Sequence, residues 1–208
     1  MARLYVLAGV NGAGKSSIGG ATIRASGADY YNPDEAARAL RAAYPGIEPV
    51  RANSLAWQQG KRLLQEAIDE RLDFAIETTL GGSTMLRLLM HAAALGIEVR
   101  VWYVGLPSAE AHIERVRQRV RAGGHDIPEA DIRRRYRHSR LNLVRLLPAL
   151  TELRVYDNSA DADPAAGHAP RPVLVLHVKQ GRIVNPDDLS STPEWAKPIV
   201  AAALKLEK

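Results

Sequence analysis

Apolar and polar positions along the chain switch between two periods. Leu4-Tyr5-Val6-Leu7 is an unbroken apolar run, which fits a buried strand over residues 3–8. A helix is expected from Lys15 to Arg24. "ADYYNPDEAARAL" predicts a short strand, a turn at Asn32-Pro33, and a helix carrying Asp34 and Glu35 in its first turn. In "ANSLAWQQGKRLLQEAIDERL", Ala56, Leu63, Leu64, Ala67 and Ile68 recur at helical spacing, with Asn53 or Ser54 as the expected cap. "DFAIETT" reads as another strand. Ser83 to Leu95 reads as a helix stopped by Gly96, and "IEVRVWYVGL" as a strand followed by a helix capped by Ser108. After the break "RAGGHDIPEAD", Ile132, Tyr136, Leu143 and Leu147 mark the apolar face of a helix from about Glu129 to Leu150. "ELRVYDNS" is the fifth strand. A small-residue loop over 159–172, a hairpin in "VLVLHVKQGRIV" turning at Gln180-Gly181, and a helix in "TPEWAKPIVAAALKL" complete the chain.

Strands alternating with helices imply an α/β fold: a mostly parallel five-stranded sheet flanked by helices, with a C-terminal hairpin and helix beside it. One domain is expected over 1–208, with a lid region at about 115–140 and the hairpin and helix in 172–206. In such sheets ligands sit at the carboxyl ends of the strands.

Composition narrows the function. The 208 residues suffice for one substantial core. With no cysteine, disulfides and thiolate metal sites are excluded, which fits a reducing compartment. No apolar run approaches the ~18 residues of a membrane span, and the N-terminal run is too short for a signal peptide. A cytoplasmic protein without a membrane partner is expected. The net charge of +5 favours anionic partners. Arginines concentrate between Arg115 and Arg145, so the positive field is expected to be local.

The chain's strongest chemical signal lies directly behind the first strand. Gly9-Val10-Asn11-Gly12-Ala13-Gly14-Lys15-Ser16 matches G-x-x-x-x-G-K-[ST], the phosphate loop of P-loop NTPases. Glycines let backbone amides curl around a phosphate where a Cβ would intrude, and the following helix adds its positive end. The expected nucleotide contacts are Gly9, Asn11, Gly12, Ala13, Gly14, Lys15, Ser16 and Ser17. Lys15 reaches the β- and γ-phosphates of ATP, and the Ser16 hydroxyl ligates Mg²⁺.

Two acids stand at strand ends. Asp34 follows the second strand and Glu77 closes the third, so both should face the γ-phosphate side of the loop. A kinase needs a carboxylate to orient the acceptor hydroxyl or take its proton, and a second acid could serve substrate or metal. The glycine break between two arginine-bearing helices has the makings of a closing lid. Arg119 and Arg135 are the expected phosphate contacts there, and His125 in the break could orient substrate or cap a helix. A nucleic-acid partner is disfavoured. Aromatics make up only 5% of the chain, and the one among these arginines, Tyr136, is assigned to the core.

Taken together, "GVNGAGKS", "NPD", "FAIETTL", "RVRAGGHDIP" with "IRRRYRHSRLNL", and "VYDNS" resemble the compact bacterial branch of the zeta-toxin family of P-loop kinases. The resemblance runs from Arg3 to about Ser159. It implies ATP-dependent phosphorylation of a small-molecule hydroxyl, with UDP-N-acetylglucosamine as the acceptor of better-studied members. Carried over by position, Lys15 and Ser16 hold ATP and Mg²⁺, Asp34 is the general base, Glu77 and Thr78 contact substrate alongside Asn32, and arginines flanking the break clamp the phosphates. The family also leaves room for an antitoxin partner, which no residue pattern indicates. Toxin-type members carry an arginine three residues after the base; here Ala37 stands there and Arg38 follows. Two other readings stay open: a nucleotide-binding regulatory module, and a polynucleotide kinase-like enzyme.

Overall fold

The computed structural model describes residues 1–15, 29–160 and 172–207. The strands are β1 (Arg3–Ala8), β2 (Asp29–Tyr31), β3 (Phe74–Thr78), β4 (Glu98–Gly105), β5 (Glu152–Asp157), β6 (Val173–Lys179) and β7 (Arg182–Asn185). They form one sheet in the order β2-β3-β1-β4-β5-β6-β7. The first five are parallel, and β6 and β7 run antiparallel. The helices are α1 (Pro33–Ala43), α2 (Pro49–Asp69), α3 (Ser83–Ala94), α4 (Ala109–Arg121), α5 (Glu129–Leu146) and α6 (Lys197–Leu206).

Alternation along the buried strands builds two apolar layers. Leu4, Val6 and Ala8 of β1 face a core shared with Leu64 and Ile68 of α2, Leu89 of α3 and Leu143 of α5. Leu7, Ala75 and Val104 point to the other face. A third cluster of Val10, Ile113, Val116, Ile127 and Ile132 fastens α4 and α5 to the phosphate loop. Tyr136 packs on that cluster, partly buried, in keeping with its core assignment.

The sheet has seven strands, not five. A five-stranded sheet would leave the backbone groups of β5 unpaired at an edge. The hairpin occupies that edge instead, with Glu152 opposite Lys179 and Asp157 opposite Val173.

Three helix boundaries also differ from expectation. The helix placed from Asn53 or Ser54 begins one turn earlier, at Pro49, because proline suits the first helical position, where its missing N–H is not needed. The helix expected to run from Glu129 to Leu150 stops at Leu146, and Leu147–Ala149 tightens into a 3₁₀ turn, since Pro148 has no amide to continue the ladder. The last helix begins at Lys197 rather than Thr192. The caps at Ser108 and Gly96 are as expected: Ser108 Oγ accepts from the Ala111 amide at 3.1 Å, and Gly96 has φ +77°. Apart from Lys15, the helix expected to Arg24 lies outside the described residues, as do 161–171 of the expected loop.

The turns before α6 return the chain to the sheet. Trp195 is 3% exposed, and its indole N–H donates to Asp157 Oδ1 at 3.2 Å. Its ring lies so close to Gly105 that a Cβ there would stand 2.3 Å from it. Arg140 of α5 donates to the Trp195 carbonyl at 3.3 Å. Trp195 therefore ties α6 and α5 to the carboxyl ends of β4 and β5. Replacing it with alanine empties a buried aromatic site and should cost about 3–5 kcal/mol. In urea titration the midpoint of Trp195→Ala should fall with the slope unchanged.

Candidate functional site

Four of the five parallel strands lead into a residue of the site. Gly9 follows β1, Asn32 and Asp34 follow β2, Glu77 and Thr78 close β3, and Asn158 follows β5. These carboxyl ends open onto a cleft of about 600 Å³, lined by Asn11, Lys15, Asn32, Asp34, Glu77, Thr78, His125 and Arg135 among others. The structure thus brings together most of the residues expected from sequence.

The phosphate loop has the shape that its glycines permit. Gly9 has φ +145°, and a Cβ there would stand 2.3 Å from the Val104 carbonyl oxygen. Gly14 has φ +82°, and a Cβ there would stand 2.4 Å from Asn158 Nδ2. Both positions require glycine for conformation and for space. Neighbouring elements brace the loop. His112 of α4 meets the Asn11 carbonyl through Nδ1 at 2.9 Å, and Asn158 Nδ2 donates to the Ala13 carbonyl at 2.8 Å. Arg135 Nη1 donates to Asn11 Oδ1 at 2.7 Å. Backbone amides freed by such a loop make an anion cradle, so the described part fits a nucleotide phosphate. Ser16 and Ser17 lie outside the described residues.

Lys15 and Glu77 form a shielded pair. The ammonium is 3.5 Å from Glu77 Oε1, with both side chains under one-tenth exposed. Lys15 also donates to the Gly9 carbonyl at 2.8 Å. Glu77 Oε2 accepts from the Tyr30 hydroxyl at 2.9 Å and from Asn32 Nδ2 at 3.0 Å. Burial and the Glu77 carboxylate push the Tyr30 phenol upward, so it stays a donor. Asn32 works in two directions. Its Oδ1 accepts from the Asp34 and Glu35 amides and caps α1, while its amide NH₂ holds Glu77. One side chain therefore couples the start of α1 to the end of β3, and its polar atoms are engaged within the protein.

Asp34 is exposed to the cleft. It lies within electrostatic reach of His125 and Arg135: its charge raises the pKa of each against the lowering effect of burial. For His125 burial prevails and the pKa falls, so the imidazole is neutral at pH 7. Its Nε2 sits 3.1 Å from Asn53 Nδ2 of α2. That amide can only donate, which assigns the proton to Nδ1.

The arginines divide. Arg135 crosses Gly81, where a Cβ would stand 2.9 Å from its Cγ, and enters the cleft. Arg119 instead donates to the His125 carbonyl at 2.8 Å and holds the glycine break rather than lining the cleft. Arg117 and Arg133 pair with Glu129 and Glu110, joining α4 to α5, while Arg121 pairs with Glu114 at 3.6 Å. The local positive field expected from the arginines of this region is thereby partly neutralised.

Several site residues were not expected from sequence. Asn158 is wholly buried, and Arg115 donates to its carbonyl at 2.6 Å, with Nη1 3.9 Å from the Cβ position of Gly14. On α5, Ser139 Oγ donates to the Thr79 carbonyl at 2.6 Å, and Asn142 donates to Leu80 O at 2.9 Å. These fix the turn after Glu77, where Thr78 Oγ1 also accepts from the Leu80 amide at 3.0 Å. The run "HSRLNL" contained both side chains, but only the tertiary fold shows what they hold.

His112 gives a pH prediction. It is 1% exposed, and burial drives its pKa down to about 4 from an ordinary 6.5. The unfolded chain binds the proton more readily, so the stability conferred by neutral His112 is complete above pH 6.5 and is lost as pH falls toward 4. The loss is roughly 3 kcal/mol. His112→Gln, monitored by thermal unfolding from pH 7 to 4, should show a flatter decline than the wild type.

Known proteins resemble this arrangement. An uncharacterized protein of Haemophilus influenzae is 28% identical over 132 residues, which are 62% of this chain and 88% of that protein. The crystal structure of AvrRxo1-ORF1:ORF2 with ATP matches 98% of this chain at a TM-score of 0.67 and 16% identity; the chain spans 64% of that protein's length. The PezAT toxin–antitoxin system of Streptococcus pneumoniae matches the whole chain and 88% of its own at a TM-score of 0.54 and 14% identity. These likenesses establish a shared α/β P-loop fold. Residues 4–140, well over half the chain, match the family model described as an AAA domain, and the chain belongs to that family.

Proposed function

We propose that the protein is an ATP-dependent kinase that transfers the γ-phosphoryl group to a hydroxyl of a small molecule, in the manner of the zeta toxins. The observation that carries this is the exposed carboxylate of Asp34 in one cleft with the Lys15–Glu77 pair and Arg135. The cleft around that acid, about 600 Å³, offers room for an acceptor molecule beside the nucleotide, where simple hydrolysis needs only a placed water. In this proposal residues 1–208 act as one phosphotransferase unit, with 115–140 as its lid.

Bound ATP supplies the phosphoryl group, and Mg²⁺ supplies countercharge on its oxygens. The loop amides and Lys15 would hold the phosphates, and a hydroxyl such as that of Ser16, together with carboxylate oxygen, is the kind of donor set that suits Mg²⁺. Asp34 accepts the proton of the acceptor hydroxyl as its oxygen attacks the γ-phosphorus. The new O–P bond forms while the bond to the β–γ bridging oxygen breaks, and ADP departs. Arg135 balances charge on the transferred group. Thr78 and the neutral His125 orient the acceptor, and Glu77 holds Lys15 in position. Arg119 acts by keeping the glycine break folded.

A nucleotide sugar is one acceptor of this kind, but the arginine that follows the base in toxin-type members has no counterpart here. Ala37 is 2% exposed, which leaves no room for a longer side chain, and Arg38 is exposed. One turn further on, Arg41 has a buried Nε with no hydrogen-bond partner among the described residues and lies within electrostatic reach of His125. Arg41 is a candidate to serve in its place.

Asp34→Asn keeps the shape of the residue and removes the base. Phosphate transfer should fall by about 10²–10⁴-fold, with nucleotide affinity unchanged in calorimetry. Lys15→Ala should lose nucleotide affinity itself. Transfer by Asp34→Asn at the wild-type rate would refute the assignment of the base.

A further inference from the structure

We propose that Trp57 and Lys61 form the recognition end of the cleft, and that they bind an acceptor bearing a planar ring and an anionic group. The proposal rests on the kinase reading above and extends it to the class of acceptor.

Trp57 is 45% exposed and lines the cleft. The other two tryptophans are engaged: Trp195 is buried, and Arg154 lies over the Trp102 ring at 5.8 Å. Among the described residues, no aromatic ring or cation packs on the Trp57 indole, and its N–H has no partner. An exposed tryptophan gives up hydrophobic stabilisation, and a rigid, flat indole is the side chain best suited to recover it by stacking on a ligand ring.

Lys61 stands one helical turn further along the same face of α2 and also lines the cleft. Its ammonium has no ion pair among the described residues, whereas the adjacent Arg62 is paired with Glu66 at 2.9 Å. A cation beside an aromatic platform at the mouth of a polar cleft suits a phosphate or carboxylate attached to the stacked ring.

The platform is held in place. The Tyr31 hydroxyl donates to the Ala56 carbonyl at 2.5 Å, immediately before Trp57. At Gly60 a Cβ would stand 2.7 Å from the Tyr31 ring, so α2 rests directly on the strand ends just before Lys61. The backbone beneath the two side chains is therefore already ordered, and binding has only their own rotamer freedom to restrict. Asn53, on the same helix face, contacts His125 of the lid break. Since Asn53 and Lys61 are about 12 Å apart along the helix, a ring on Trp57 would lie between the lid contact and the free ammonium. One ring and one cation match a small molecule, not a polynucleotide strand.

The test measures binding without turnover. The phosphate loop is first saturated with a non-hydrolysable ATP analogue and Mg²⁺. Calorimetry then follows a panel of the four ribonucleoside monophosphates, the matching neutral nucleosides and ribose 5-phosphate. At least one monophosphate should bind, with its nucleoside and ribose 5-phosphate at least tenfold weaker. Trp57→Ala and Lys61→Gln should each weaken that binding at least tenfold, while Trp57→Phe restores most of it and affinity for the ATP analogue is unchanged. The proposal is overturned if no monophosphate binds, if nucleoside or ribose 5-phosphate binds equally well, or if the variants bind like the wild type. Binding that passes every criterion without any phosphate transfer would instead count against the kinase reading.

Discussion

The Lys15 ammonium and the Glu77 carboxylate lie 3.5 Å apart, almost wholly shielded from water, and the cleft is organised around that pair. Removing two charges from solvent is tolerable only when their remaining hydrogen-bonding capacity is met. Glu77 meets it with Tyr30 and Asn32, and Lys15 with the Gly9 carbonyl. Each partner imposes something further. Asn32 also caps α1, which puts Asp34 at the cleft. The Gly9 carbonyl that accepts from Lys15 belongs to a residue at φ +145°, where the chain turns into the loop. One electrostatic requirement thus fixes the ends of three parallel strands.

A second set of contacts joins this centre to α4 and α5. The surface ion pairs between these helices are individually weak. What holds the break over the cleft is closer to it: Arg135 on Asn11, Asn53 on His125, and Arg119 on the His125 carbonyl. Gly124 passes so near Arg119 that a Cβ would stand 2.6 Å from its Cγ, so the break is packed against α4 at that point. At its far end the break is anchored by Ile127, which is buried with Val10, Ile113 and Ile132.

The order of strands and helices was legible in the sequence because period-two and period-3.6 patterns are local properties. So was the phosphate loop, whose glycines answer a backbone demand nearly independent of context. Asp34 and Glu77 share one cleft because the strand-end rule follows from parallel topology, and the glycine break and α5 bring His125 and Arg135 into it. Residues that act across the fold were harder to read. Asn158 and His112 brace the loop from residues more than 90 positions away in sequence, and nothing in their neighbours signals it. Arg119 and Arg135 look alike in sequence, yet one is turned to the break and the other to the loop by the packing of α4 against α5. The hairpin was visible, but its union with the sheet depended on the open edge of β5.

The destination of the γ-phosphate tests the central claim most directly. The protein would be incubated with [γ-³²P]ATP, Mg²⁺ and a small-molecule metabolite extract, and the labelled products separated by mass and charge. If the cleft serves phosphoryl transfer, the label appears in a small molecule heavier by one phosphate. Label found only as inorganic phosphate, or only in added nucleic acid, would contradict it.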